Sequence, residues 1–346
     1  MSKTLQDYAT LINDTIQSNE INHYITTDNM CQNLGGIDTF KNINIPQGKV
    51  RLFQKDDVLL SNIRLYFRKV YRAKQKGGCS SDVLVFRAKH IDSATLFAIL
   101  SSQIFTDYAC SGSQGSKMPR GNKTHMMDFK IPTINFTIAK IFNSIQNKIE
   151  NNHKINELLH MLAYKIYEYY FKYKPKNANL EQIIIENPKS SIMVKNAQKT
   201  QDKYPFFTSG DNILFYPKAI IDGRNCFLNT GGNAGIKFYV GKASYSTDTW
   251  CICANEFSDY LYLLLSSIKT HINQSFFQGT SLKHLQKNLL KKYPIYMPSA
   301  HEIKKFNQII MPLLTLISIN TRTSKKLEQI RDFLLPLLLK QQVKPQ

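Results

Sequence analysis

Residues 137–171 read TIAKIFNSIQNKIENNHKINELLHMLAYKIYEYYF. Ile138, Ile145, Asn152, Leu159 and Ile166 recur every seven residues, and Ile141, Ile155, Leu162 and Tyr169 form a companion track. A helix with a sustained seven-residue repeat buries a stripe against another helix, so the segment predicts one strand of a coiled coil. Pro175, in KYKPKNANL, stops it. The segment HEIKKFNQIIMPLLTLISINTRTSKKLEQIRDFLLPLLLKQ (301–341) repeats the pattern at Phe306, Leu313, Asn320, Leu327 and Leu334. A single offset lays Ile145 on Leu313, Asn152 on Asn320 and Leu159 on Leu327. Asparagine in an apolar seam gives up stability and selects register and partner. The matched asparagines predict two helices paired antiparallel within one chain, rather than two helices each covering its own globule.

The repetition extends beyond the helices. CSSDVLVF (79–86) matches YSTDTWCI (245–252), LFAILSS (96–102) matches LYLLLSS (261–267), and SQGSKM (113–118) matches FQGTSL (277–282), in the same order and at nearly constant offset. A self-similar chain is a chain of two copies. The runs VRLF, DVLLSNI, DVLVF, NILFY, CFLN, IKFYV and WCICA read as strands between Gly, Asn and Asp turns, and ATLFAILSSQIFTDYA and FSDYLYLLLSSIKTHI as helices. The expected fold is α+β: two similar α/β domains with mostly antiparallel sheets, at 1–136 and 174–299, each followed by a long helical segment, at 137–173 and 300–346.

Charge narrows the class of partner. Lys+Arg number 45 against 25 Asp+Glu, a net charge of +20, which attracts polyanions. No run of eighteen apolar residues is present, and MSKTLQDYATLINDTIQ lacks a basic start followed by an apolar stretch. These features favour a cytoplasmic protein that binds nucleic acid over a membrane protein. The six cysteines, at 31, 79, 110, 226, 251 and 253, show no CxxC pair and no zinc-ligand spacing. They read as reduced core residues, with Cys251 and Cys253 on one face of a strand.

Catalytic motifs are missing from the reading. GNAGIKF (232–238) lacks the Lys-Ser/Thr ending of a phosphate loop, SGSQG lacks the order of a nucleophile elbow, and His301-Glu302 has no second His four residues on. There is no Asn/Asp-Pro-Pro-aromatic tetrad of a base-flipping methyltransferase, and Asp56-Asp57 is followed by no Glu-x-Lys of a magnesium nuclease at a workable distance. Asp56-Asp57, and the repeat-matched Asp82 and Asp248, read as turn or strand-entry residues, the latter pair with the added option of touching a nucleotide or orienting a DNA-binding arginine. No metal or cofactor is expected on the chain itself.

What remains is binding. In the first copy, SNIRLYFRKVYRAK (61–74) offers Asn62, Arg64, Tyr66, Arg68 and Lys69, and SGSQGSKMPRGNK (111–123) offers Ser113, Gln114, Gly115, Ser116, Lys117, Arg120 and Lys123. In the second, NTGGNAGIK (229–237) offers Thr230, Asn233 and Lys237, and QGTSLKHLQK (278–287) offers Gln278, Gly279, Thr280, Ser281 and Lys283. Arg and Lys contact phosphate, bidentate Arg reads guanine, Asn and Gln read adenine, and Gly admits backbone amides close to phosphate. A solvated face is the competing reading of any single such run, and the recurrence of Gln-Gly-Ser/Thr at the same place in both halves argues against it.

DVLLSNIRLYFRKV, GGCSSDVLVFRAK and SGSQGSKMPRGNK, with YITTDNMCQNLGGI (24–37) ahead of them, resemble a target recognition domain of the specificity (S) subunits of type I restriction-modification systems. KYPFFTSGDNILFY (203–216) and DGRNCFLNTGGNAGIKFYVGKASYSTDTW (222–250) are similar to another subclass of these domains, and EIKKFNQII and RDFLLPLLL to the family's helical spacers. The resemblance covers nearly the whole chain. It implies a non-catalytic subunit whose two domains read a bipartite double-stranded DNA target. It also implies a helix pair that sets the gap between the two parts; a helix of about 36 residues spans about 50 Å. Two methyltransferase subunits, holding adenosylmethionine, and restriction subunits, using ATP and magnesium, are the implied partners. A type IIB-like specificity subunit and a non-specific DNA-binding coiled-coil scaffold stay open as alternatives.

Overall fold

The structure, a computed structural model, describes residues 3–38, 43–131, 134–197, 203–210, 213–280 and 282–338. Packing divides the chain into two units, residues 1–151 with 326–346, and residues 152–325. Each unit holds one globule with a part of both long helices.

In the first unit a helical turn, α1 (Leu5–Tyr8), leads into β1 (Ala9–Ile12), β2 (Thr15–Gln17), β3 (Tyr24–Ile25), β4 (Lys49–Phe53), β5 (Val58–Ser61), β6 (Val70–Arg72), β7 (Gly77–Cys79) and β8 (Val83–Ala88). They form two sheets, β1-β8-β5-β6 and β2-β4-β7-β3, antiparallel except for β3 on β7. The helices α2 (Ser93–Leu100), α3 (Gln103–Ser111) and α4 (Lys123–Met127) follow. The run 94–109 folds as two helices because Ser102 interrupts it: its Oγ accepts from Phe105 N at 3.2 Å, starting α3. α2 buries every residue after Ser93 against the first sheet. Asp57 sits at the entry of β5, where it accepts from Gln54 N and receives both Nε and Nη2 of Arg87 at 2.8 Å, the turn role expected of it.

Next comes α5 (Phe136–Tyr167), ending in a π turn at Glu168–Lys172. In the second unit, β9 (Ala178–Asn179) and β10 (Ile185–Glu186) precede β11 (Tyr204–Phe207), β12 (Leu214–Tyr216), β13 (Arg224–Asn229), β14 (Ile236–Val240), β15 (Ser244–Tyr245) and β16 (Thr249–Cys253). Then follow α6 (Ser258–Ser267), α7 (Lys269–Ser275), the hairpin β17 (Phe277–Gln278) and β18 (His284–Leu285), α8 (Lys287–Lys291), β19 (Pro294–Ile295) and α9 (Ala300–Leu338). The principal sheet is β10-β16-β13-β14 and a smaller one is β12-β11-β15.

The two globules repeat one another position by position. Val58 faces Phe86 and Leu60 faces Leu84 across β5 and β8; Cys226 faces Ile252 and Leu228 faces Trp250 across β13 and β16. The offsets read from the sequence carry the first pairs onto the second, Val58 onto Cys226 and Phe86 onto Ile252. The parallel pairing recurs as well, Ile25 with Cys79 and Phe207 with Tyr245.

The long helices run antiparallel, because partners on α9 descend as those on α5 ascend. In the first unit Arg331 Nη1 donates to Gln146 Oε1 at 3.0 Å. In the second, Asn152 Nδ2 donates to Ser324 Oγ at 3.1 Å and Asn320 Nδ2 to Asn156 Oδ1 at 3.0 Å. The two matched asparagines therefore do not meet. Each takes a partner one turn along, and the offset that carries Asn152 to Asn320 carries Asn156 to Ser324, so the two contacts are copies of each other.

The buried stripe differs from the expected one. On α9 it is Ile303, Ile310, Ile317, Ser324, Arg331 and Leu338, spaced by seven; of the expected track Phe306 is buried, whereas Leu313, Asn320, Leu327 and Leu334 are half-buried. On α5 it includes Ala139, Phe142, Gln146, Ile149, Asn152, Ala163 and Tyr167, with Ile145, Leu159 and Ile166 half-buried beside it. The companion residues Ile141, Ile155, Leu162 and Tyr169 are exposed. A period of seven fits several adjacent stripes when apolar residues occupy more than one, and polar Gln146, Ser324 and Arg331 hide the central one.

Candidate nucleic-acid interface

In the first unit three loops meet at the ends of β5 and β8. Asn62 N donates to Asp82 O (2.8 Å), Gly121 N to Asn62 O (3.1 Å) and Arg64 N to Pro119 O (2.9 Å). The loop 113–121 closes on itself, Gln114 N to Arg120 O (2.9 Å) and Arg120 N to Gln114 O (2.8 Å). In the second unit Thr230 N donates to Asp248 O (3.2 Å), Leu285 N to Thr230 O (3.0 Å) and Gly232 N to Lys283 O (2.9 Å), and Gln278 pairs with His284. Asn62 corresponds to Thr230, Arg64 to Gly232, Asp82 to Asp248, Pro119 to Lys283 and Gly121 to Leu285, so every donor and acceptor of the first set has its counterpart in the second. Arg64 (φ 50°) and Gly232 (φ 79°) are both left-handed, as are Gly115 (φ 98°) and Gly279 (φ 139°) at the hairpin tips. The hairpin needs that conformation, which glycine adopts without steric cost.

This cradle sorts the candidate residues. Gln114, Gly115, Ser116, Lys117, Arg120 and Lys123 are exposed, as are Gln278, Gly279, Thr280, Lys283 and, on the loop before β14, Asn233. Ser281 lies outside the described residues. Tyr66 is exposed and packs edge-on to Phe67. Others turn inward. Ser113 Oγ donates to Ala109 O at 3.0 Å and Thr230 Oγ1 to Asp248 O at 2.8 Å. Asn62 is buried in the cradle. Arg68 Nη2 donates to Ser101 O at 2.9 Å, and burial holds its guanidinium below its usual pKa. Arg64 is half-buried and its Nη2 lies 3.4 Å from Lys117 O.

Lys69 and Lys237 are repeat partners with the same task. The ammonium of Lys69 donates to Thr27 O and that of Lys237 to Thr208 O, in each case tying down the segment after a parallel strand, β3 or β11. Residues 26–29 and 208–210 thereby join the two clusters, and sequence reading missed both. It also missed His284, which the offset between the two Gln-Gly segments would have found as the counterpart of Arg120. Arg120 itself forms an ion pair, Nη2 to Asp82 Oδ1 at 2.9 Å, with its side chain 62% exposed.

Among the described residues no group of His, Cys, Asp and Glu could hold a metal ion, and no helix is long and apolar enough to cross a membrane. The cysteines are free thiols. Burial pushes Cys79 up to about 12 and raises Cys226 and Cys251, which leaves them in the unreactive thiol form.

Residues 177–329 match the model of the type I restriction modification DNA specificity domain. No curated protein matches the chain. Among solved structures, the S subunit of a type I restriction-modification system from M. genitalium is 14% identical, with a TM-score of 0.64 over 99% of this chain and 96% of that one. An HsdS subunit from Thermoanaerobacter tengcongensis is 13% identical, with a TM-score of 0.37 over 98% and 96%. The M. genitalium likeness is one of fold, and the family model identifies residues 177–329, which include the second copy, as similar to a type I restriction modification DNA specificity domain.

Proposed function

We propose that the chain is the non-catalytic subunit that selects the DNA sequence for a type I complex, each loop cluster reading one part of a bipartite target. The carrying observation is the hydrogen-bonded cradle that recurs in both units while the side chains on it differ. Two scaffolds of one geometry with two sets of exposed polar and basic groups suit two different base sequences. The long helices set the gap between the parts. Their exposed apolar residues, Ile155, Leu158 and Leu162 on α5 and Ile309, Leu316 and Ile319 on α9, support docking of the methyltransferase subunits, which bring adenosylmethionine. Restriction subunits add the ATP- and magnesium-dependent steps.

Inserting one heptad after Lys154 and another after Arg322 tests this reading. These positions face each other between the Asn152–Ser324 and Asn156–Asn320 contacts, so the inserted turns pair and the seam keeps its period. Each insertion adds about 10 Å, which lengthens the non-specific gap by about three base pairs. Methylome sequencing of cells carrying the complete system reads the gap directly, and an unchanged gap sinks the ruler.

Lys117→Ala and Lys283→Ala probe the backbone contacts. Each is expected to weaken binding on all sequences alike and to lower the slope of log affinity against log salt by about one. Titration of the assembled methyltransferase complex against duplex at several salt concentrations measures it.

A further inference from the structure

We propose that Arg120 reads a guanine in the major groove with Asp82 as its positioning residue, and that His284 occupies the corresponding reading position of the second unit. The inference rests on the DNA-recognition reading and goes further, to particular residues and a base.

Arg120 differs from the other cations of its cluster in how it is held. Its backbone N and O both bond Gln114, and its Cα is fixed again by the bridge to Ile63. Its guanidinium is gripped at one nitrogen by Asp82, whose own backbone oxygen accepts from Asn62 N inside the cradle. Arg68 and Lys69 are turned onto backbone oxygens, and Arg64 lies against Lys117 O. Lys117 and Lys123 are exposed, but an ammonium on a flexible stem acts as a point charge.

An ion pair this exposed adds little to folding stability, so holding the fold does not account for it. What the contact does is hold one nitrogen of the guanidinium beside Asp82. The edge that faces away from Asp82 can still present two parallel donors to guanine O6 and N7. The second unit keeps every backbone contact and changes the side chain: His284 pairs with Gln278 as Arg120 does with Gln114, and meets Gly231 as Arg120 meets Ile63. A position where the scaffold is constant and the functional group varies is where two reading heads acquire different preferences.

The test uses the subunit assembled with its methyltransferase partners and the target found by methylome sequencing. Duplexes carry 7-deazaguanine, which lacks the N7 acceptor, at one guanine of the first half-target at a time. The wild type is expected to lose about tenfold in affinity at one guanine. Arg120→Ala should erase that sensitivity and leave the second half-target read as before. Asp82→Asn should weaken discrimination a few-fold at the same base pair and nowhere else, which a merely structural role would not do. His284→Arg should create a guanine preference in the second half-target. Equal loss on every sequence with Arg120→Ala would make it a phosphate contact and overturn the assignment, as would no loss at all. A wild-type complex indifferent to sequence would instead overturn the recognition reading, and this assignment with it.

Discussion

Replacing Asp259 with alanine should destabilise the second unit by about 3–5 kcal/mol, because it strips the partner from a cation held inside the protein. Asp259 opens α6 with its side chain 2% exposed, and it receives both Nε and Nη2 of Arg224 at the start of β13. The same guanidinium reaches α9 through Thr315 Oγ1 (3.0 Å) and Met311 O (3.3 Å) and lies over the Phe238 ring. One charge thus ties the principal sheet, the helix that covers it and the long helix. Burial raises the Asp259 carboxyl above its ordinary pKa even with Arg224 against it, so desolvation outweighs the attraction. The double variant Asp259→Leu with Arg224→Met should therefore recover most of the loss. Denaturant melts of the single and double variants decide it; a double variant no more stable than Asp259→Ala would show that the pair is a net gain.

Arg331→Ala should cost the first unit about 2–4 kcal/mol, the sum of an orphaned buried acceptor and a poorly filled space. Arg331 is 2% exposed on α9 and donates to Gln146 Oε1 at 3.0 Å, while Gln146 Nε2 donates to Leu34 O at 2.7 Å. Removing the arginine leaves Gln146 half-satisfied and loosens the loop that follows β3. Arg331→Met retains the packing of the stem and should cost less. If both melt alike, the packing of the stem contributes nothing measurable and the loss belongs to the hydrogen bond to Gln146.

Much of this was legible in the strings. CSSDVLVF against YSTDTWCI and SQGSKM against FQGTSL carried the duplication, and their offsets are those by which hydrogen bonds of one cradle map onto the other. The antiparallel helix pair was legible from the heptads. Its central stripe was not, because Gln146, Ser324 and Arg331 are polar, and partners such as Leu34 O for Gln146 and Asn152 for Ser324 are brought to them only by the fold. The basic runs were equally ambiguous. Lys69 and Lys117 have the same chemistry in sequence, but only the tertiary position of Thr27 O turns the first into a clamp. The ion pair of Asp82 with Arg120 joins residues from different loops, and no local pattern announces it.

The copied amide contacts at the middle of the helix pair have a consequence for the register of the seam. An apolar stripe can slide by small increments at small cost, since one methyl group packs much like another. Asn152 on Ser324 and, beside it, half-buried Asn156 on Asn320 have no intermediate setting, because a partial slip leaves buried Asn152 and Ser324 without partners. A seam held this way behaves as a detent rather than a bearing. Its register changes in whole steps, through added or deleted residues.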